Sequence, residues 1–544
     1  MNYKIAQSIG VNPILMAESN YKDAYYYIFV RFLNKYANEK DQIEGYKKLY
    51  KTKLGLNTTR KIPPIISIEK AFEKIKRLTI VNGEIVDFKF ILFVDLVNVL
   101  AVNDKEFAIT ILQDYVSYFE QYERNQFYTL FSCMFSEDEN LSFKKKIELL
   151  YKKLNDDVRK SFFTLIKALV IFLFFYNFTL ATVLVCGILY IVRKNSSKKF
   201  ISNLKTAVKR LNRISYDLKI SKMLDSKLIN EIKVSDYSDK NIAEYFINTN
   251  EAIQHFGLIP ILSIWNANNR FFAKKETRVL ITANMSAGKS TLINALIGKS
   301  IARTSQEVCT GNVCYIYSKP IEDGHIHLDT GFLNMNASAM DLTEFDWSKK
   351  IRIASYFRAF NVRVPRVCII DTPGVNSAIN RQHGMIAKNA LQSEQYDKLI
   401  YVINGNKLGS DEEIKHLKWV ADNISKEKIL FVLNKLDDFK RVDDDIQISI
   451  NHVYDDLRKL GFVEPIVYPI SAYFGMLIKK KEFGEQLTED EQDEYEYYKK
   501  KFNRPEYDLS RYGNNCSNET EREAIALSKR CGLYSLEEAI YGGR

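Results

Sequence analysis

Through the first 160 positions, apolar residues recur at three- and four-residue spacing, which predicts a helical N-terminal region. The pattern is clearest over 69–78, 104–122 and 144–154, and Lys61-Ile62-Pro63-Pro64 predicts a break between helical groups. Positions 88–102 are almost continuously apolar, interrupted by Lys89, Asp95 and Asn98, which predicts a buried core helix. The 25 positions from 168 to 192 carry no charge and are flanked by Lys167 and Arg193-Lys194. A bilayer core about 30 Å thick takes about 20 such residues as helix, so the run predicts one transmembrane helix within a membrane segment at 161–193. A buried soluble helix and a re-entrant hairpin bent near Tyr176-Asn177 are the alternatives. Lys and Arg number seven in the twenty positions after the run and five in the twenty before it, which places the C-terminal side in the cytoplasm. A helical connector is expected over 194–274. Its stripe of Leu204, Val208, Leu211, Ile214 and Leu218 fits packing into a bundle, and also fits lying on anionic headgroups. Leu258-Ile259-Pro260-Ile261 is expected to interrupt the helical pattern.

From Arg278 the period changes. Short β-rich runs at 278–282, 366–370, 399–403, 428–433 and 465–470 alternate with helical patterns at 291–298, 384–392 and 411–424, the last opened by Ser410 as N-cap. This alternation predicts an α/β domain over 275–544, a mostly parallel sheet with helices on both faces. Ligands of such sheets bind at the carboxyl ends of the strands, so the residues just after each run are the informative ones.

Composition adds little to this picture. The 544 residues carry 46% hydrophobic and 27% charged positions, as a folded protein of several domains does. A net charge of +11 fits an anionic partner, nucleic acid or membrane, and fits a lysine-rich proteome as well. With no motif for nucleic acid and an apolar run beside the charge, lipid is the expected partner. The seven cysteines (133, 186, 309, 314, 368, 516 and 531) are scattered without metal-ligand spacing, so free thiols are expected rather than a zinc site or a disulfide framework.

The strand ends carry the chemistry. After the first run come Asn284-Met285-Ser286-Ala287-Gly288-Lys289-Ser290-Thr291, a small-residue loop opening a helix. Backbone N–H groups there can wrap a β-phosphate at the positive helix end, Lys289 can reach the β- and γ-phosphates, and the Ser290 hydroxyl can take a Mg²⁺ position. Ala283 stands where the first glycine of the phosphate-loop pattern is expected. Asp371-Thr372-Pro373-Gly374 follows the second run: Asp371 can hold Mg²⁺ through water and the Gly374 N–H can approach a γ-phosphate. Asn434-Lys435-Leu436-Asp437 follows the fourth. There the Asp437 carboxylate can accept from the ring N1–H and exocyclic amine of guanine, a donor pair that adenine lacks. After the fifth, a backbone N–H of Ser471-Ala472 can meet the guanine carbonyl. Thr310, between the phosphate loop and Asp371, lies where a mobile switch would cover Mg²⁺. An ATPase reading would need the 434–437 motif to be accidental.

On these residues the chain resembles the TRAFAC class of P-loop GTPases and, within it, the dynamin superfamily, especially bacterial dynamin-like proteins. MSAGKSTLINALIG at 285–298, Thr310, DTPGVNS at 371–377, NKLD at 434–437 and the 82 positions from Lys289 to Asp371 carry the likeness, which covers 275–544. The resemblance implies GTP hydrolysis with Mg²⁺, coupled to nucleotide-dependent pairing of G domains into a homodimer. It also implies action on membrane lipid by remodelling, tethering, fusion or fission, here at a bacterial inner membrane with the G domain cytoplasmic. Ser286, Lys289 and Thr310 take catalytic positions in it. Met285 replaces the glutamine of conventional dynamins, as an apolar residue does in mitofusin-like members, and this implies slow or dimer-dependent hydrolysis. The helical pattern at 533–540 is expected to be the domain's last helix, and a partner chain is one possible source of the stalk that conventional dynamins carry. The acidic, Tyr-rich 485–498 reads as a helical insertion. The rival reading is a GTP-switched membrane-anchored signalling or scaffold protein that hydrolyses poorly.

Overall fold

The computed structural model describes residues 5–135 and 258–542, apart from short stretches at 10–12, 38, 57–66, 77–78, 82–83, 87, 285, 303–311, 343–349, 361–363, 375–380, 408, 441–444 and 514–521. The expected span at 168–192, the connector stripe at 204–218, the segment at 144–154, the break at 61–64, Met285 and Thr310 lie outside the described residues. Among the described residues, no helix is long and apolar enough to cross a membrane. Two compact units are present: Gly10–Tyr36 with Tyr50–Asn269, and Met1–Ile9 with Ala37–Leu49 and Arg270–Arg544.

The chain begins with helices α1 (Ser19–Tyr36), α2 (Lys40–Lys53) and α3 (Ile68–Ile75), then a hairpin of β1 (Thr79–Val81) and β2 (Glu84–Val86). Helices α4 (Phe88–Leu100), α5 (Lys105–Val116), α6 (Gln121–Met134) and α7 (Leu258–Ala273) follow. The apolar run at 88–102 is the core of its unit: every residue of α4 is buried. Its polar interruptions are buried with partners, as low-dielectric surroundings require. Asp95 accepts from the Tyr25 hydroxyl at 2.8 Å, Asn98 accepts from Asn268 at 2.8 Å, and the Lys89 ammonium lies 3.9 Å from Glu123. The 104–122 segment divides into α5 and α6, because Arg124 and Ser117 side chains bind backbone carbonyls at the break. Pro260 does not interrupt a helix. It lies within α7, and the helix continues past it to Ala273.

The second unit carries a nine-stranded mixed sheet. Besides the part of α2 within Ala37–Leu49 and the end of α7, its elements in chain order are β3 (Thr277–Ala283), α8 (Lys289–Ile297), β4 (Cys314–Ser318), β5 (His327–Asp329), β6 (Leu333–Asn334), β7 (Ile351–Ser355), β8 (Val367–Asp371), α9 (Arg381–Ser393), β9 (Lys398–Asn404), α10 (Asp411–Asn423), β10 (Ile429–Asn434), α11 (Ile446–Lys459), β11 (Val467–Pro469), α12 (Ala472–Glu482), α13 (Glu489–Phe502), α14 (Glu523–Arg530) and α15 (Leu533–Tyr541). Strand order is β11-β10-β9-β3-β8-β4-β7-β5-β6. The five strands expected from sequence are the contiguous parallel half, β11 to β8. The other half is mixed: β4 runs antiparallel to β8 and parallel to β7, while β5 pairs antiparallel with β7 and β6. Ser410 occupies the N-cap of α10 without a side-chain cap bond, and the acidic first turn, Asp411 to Glu413, complements the helix dipole instead. The 485–498 stretch is helical from Glu489. Its helix, α13, is held by a Thr488–Glu491 capping box and buries Tyr495, Lys501 and Phe502.

Residues 5–9, expected within an N-terminal helical region, belong instead to the unit of the sheet. Ser8 donates to Ile321 O at 2.9 Å and the Ile9 N–H donates to Asp323 at 2.6 Å. His327 is buried, with Nδ1 2.6 Å from Ile5 O and Nε2 3.2 Å from the Lys319 ammonium. Burial, and then the Lys319 charge, push its pKa down to about 3. The ring is therefore neutral, donating from Nδ1 and accepting at Nε2. So short a segment has no periodicity to reveal this docking.

At the other chain end, α15 lies against α8. The buried Lys479–Glu537 pair joins α12 to α15, Lys479 also donates to Leu296 O at 3.0 Å, and the Tyr541 hydroxyl donates to the same carbonyl at 3.3 Å.

Candidate functional site

Parallel order β10-β9-β3-β8 brings four carboxyl ends to one edge of the sheet, with the register Ala283↔Val402 and Asn434↔Asn404. Every predicted site residue that the structure describes ends or follows one of these strands or follows β11.

Ala283 is the last residue of β3, buried and paired in register with Val402. Extended strand backbone admits a Cβ without strain, so the first glycine of the usual pattern is not needed there. The loop turns later, through left-handed conformations at Ser286 (φ 63°) and Gly288 (φ 84°). A Cβ on Gly288 would lie 2.4 Å from Asn434 Nδ2, so this glycine is required twice over, by φ and by space. Helix α8 begins at Lys289, so Gly288, Lys289, Ser290 and Thr291 occupy its positive end.

Two asparagines hold the loop by its carbonyls. Asn404 Nδ2 donates to Ser286 O at 3.1 Å and Asn434 Nδ2 donates to Ala287 O at 2.9 Å. Carbonyl and N–H of one trans peptide point opposite ways, so a carbonyl fixed on one side turns the Gly288 N–H to the other. A row of backbone donors at a helix start is what an anion needs.

The Lys289 ammonium meets Asp371 at the end of β8 as an ion pair whose side chains are 10% and 3% exposed. Behind it, Thr372 Oγ1 donates to Ile281 O at 3.0 Å and fixes the start of the 371–374 turn. The Ser290 hydroxyl and Asp371 carboxylate are hard oxygen donors, the set that suits Mg²⁺.

The 434–437 loop, the base loop expected from sequence, is joined to the 284–288 loop through one side chain. Asn434, which holds Ala287 O, also accepts from Ala472 N at 3.0 Å. Lys435 then takes a left-handed conformation (φ 69°), Leu436 turns into the core, and the Asp437 carboxylate accepts from the Ser471 hydroxyl at 2.6 Å. Burial raises Asp437 above the usual carboxylate range, and the Ser471 hydrogen bond opposes the rise. One expected role changes here. Ser471 N donates to Cys531 O and Ala472 N to Asn434, so neither amide is directed at a base carbonyl. Ser471 contributes through its hydroxyl, which also accepts from Phe474 N as the N-cap of α12.

Asn404 and Lys501 were not picked out by the sequence. Asn404 lies one position beyond the 399–403 run, so the strand-end rule that identified Asn434 reaches it. Lys501, which binds the backbone of the base loop from α13, has no local signal.

Asn434→Ala removes the bond to Ala287 O and the acceptor for Ala472 N, both buried. About 1–3 kcal/mol is lost for each group left unsatisfied. Urea unfolding of the variant is expected to show a loss of roughly 2–4 kcal/mol, together with weaker nucleotide binding; unchanged stability would contradict the clasp.

Cys314, Cys368 and Cys531 are buried thiols. Residues 279–436 match the model of the dynamin family. The "Probable transmembrane GTPase FZO-like, chloroplastic" of Arabidopsis thaliana is 24% identical over 200 residues, which cover 36% of this chain and 19% of that protein. "Dynamin-like protein A" of Bacillus subtilis (strain 168) is 26% identical over 168 residues, 30% of this chain and 14% of that protein. The chain thus spans less than a fifth of the length of these two relatives. Toc33 from Arabidopsis thaliana, solved with GDP and Mg²⁺, aligns over 50% of this chain and 85% of its own at 15% identity, with a TM-score of 0.29.

Proposed function

We propose that the dynamin-family G domain in the C-terminal half of this chain binds GTP with Mg²⁺, hydrolyses it, and acts at a membrane through association of G domains. The observation that carries this reading is the Asn434 clasp: one side chain holds Ala287 O of the phosphate loop and Ala472 N beside the base loop. A site built this way registers a base against a phosphate chain, which a bare phosphate cradle does not do. Asn284, Ser286, Ala287 and Gly288 line the phosphates, and Lys289 exchanges Asp371 for phosphate oxygens. Ser290, Asp371 and Thr310 would hold Mg²⁺. The ion would supply positive charge to the phosphates. Gly374 offers its N–H near the γ-phosphate, while Asn434, Lys435 and Asp437 frame guanine. Catalysis in such a site is mainly positioning and electrostatic stabilisation, the part assigned to Ser286, Lys289 and Thr310.

Membrane placement rests on the uncharged run at 168–192 and on the charge excess that follows it. A relative named as a transmembrane GTPase supports the same reading. The full chain is tested by GTP turnover per molecule against protein concentration, with and without anionic liposomes. Turnover that rises with concentration, and liposomes tethered or tubulated only with GTP, are expected. A flat rate with unchanged liposomes would favour a GTP-switched scaffold.

A further inference from the structure

Helix α13 reaches the base loop from outside the stretch that matches the dynamin family model. Lys501, in its last turn, is 6% exposed. Its ammonium donates to Asp437 O at 2.6 Å and to Phe439 O at 2.5 Å, and lies 4.6 Å from the centre of the Tyr507 ring. The two carbonyls bracket the turn that follows the Asp437 carboxylate, so one cation spans it.

We propose that Lys501 is a positioning residue for guanine selection, clamping the 437–439 turn and keeping the Asp437 carboxylate ionised for base reading. The inference rests on the GTP reading above and adds the residue that maintains its specificity.

Asp437 needs such help. An ionised carboxylate only accepts, which suits the N1–H and amine of guanine, whereas a neutral carboxyl turns one oxygen into a donor. Burial favours the neutral form. Several elements face the carboxylate. Ser471 donates to it from the N-cap of α12, Asp438 beside it on the loop repels it, and Tyr498 and Lys501 approach from α13. The Cys531 thiol, just after α14, also feels its charge. Ser471 and Lys501 stabilise the anion, while Asp438 and burial oppose it. Lys501 brings the positive charge.

The test separates charge from clamping. Lys501→Gln keeps donor N–H groups for the two carbonyls and loses the charge, while Lys501→Arg keeps both. Binding of a fluorescent GTP analogue to the full chain is measured from pH 8 to 6, with thermal melts confirming that each variant folds. Without the cation the Asp437 pKa rises further, so protonation sets in at higher pH and affinity falls as pH is lowered. For Lys501→Gln the expected fall is about tenfold more than for the unmodified chain, and Lys501→Arg follows the unmodified chain. In an Asp437→Asn background there is no carboxylate to protect, so Lys501→Gln should add no pH dependence to xanthosine triphosphate binding. A Lys501→Gln profile parallel to that of the unmodified chain overturns the inference while leaving the GTP reading intact. If the unmodified chain binds no GTP at any pH, both fail.

Discussion

Lys289→Ala is expected to abolish measurable GTP binding and to lower turnover at least about 100-fold, as loss of one well-placed charge donor does in preorganised sites. The ammonium stands at the start of α8, is almost wholly buried, and contacts Asp371, the carboxylate assigned to Mg²⁺. Its removal takes away the charge proposed to meet the phosphates and leaves Asp371 buried without its cation. The second effect destabilises the chain by itself, because a buried charge that loses its partner costs about 3–5 kcal/mol. Calorimetric titration with GTP, read beside a thermal melt, separates the two. A variant that folds and still turns over GTP normally would overturn the site assignment.

Asp437→Asn is expected to weaken GTP binding by roughly 100-fold and to move preference to xanthine nucleotides. The amide that replaces one carboxylate oxygen faces the exocyclic amine of guanine donor to donor. Xanthine carries an oxygen at that position, which restores a donor–acceptor pair. Because Ser471 donates to the same carboxylate, the amide must also orient its remaining oxygen toward that hydroxyl. Competition between GTP and xanthosine triphosphate reads the change directly, and retained guanine preference would count against Asp437 as the base reader.

What could be read in advance follows from how local each signal is. The parallel half of the sheet was legible because each of its strands is a short apolar run that ends on a polar motif. Strands β4 to β7 were missed: β5 and β6 are three and two residues long, and β4 and β7 mix polar with apolar positions. The buried helix at 88–100 was legible from its apolar content, whereas the partners that make Asp95 and Asn98 tolerable come from Tyr25 and Asn268. No window of sequence joins positions so far apart.

The site divides along the same line. Its motifs announce the groups proposed to face the ligand, but the groups that hold those motifs in place lie far along the chain. Asn404 reaches Ser286 O across 118 positions and Lys501 reaches Asp437 O across 64. Ala283 departs from the glycine pattern, and only the backbone explains why it is tolerated: it ends a strand, while the left-handed turns fall at Ser286 and Gly288.

That this is a guanine-specific nucleotide hydrolase is tested most directly by phosphate release from GTP by the purified full chain with Mg²⁺, in the presence of a hundredfold excess of ATP or of GDP. The account predicts that GDP suppresses release and ATP leaves it unchanged. Equal suppression by ATP, or no release at all, would contradict it.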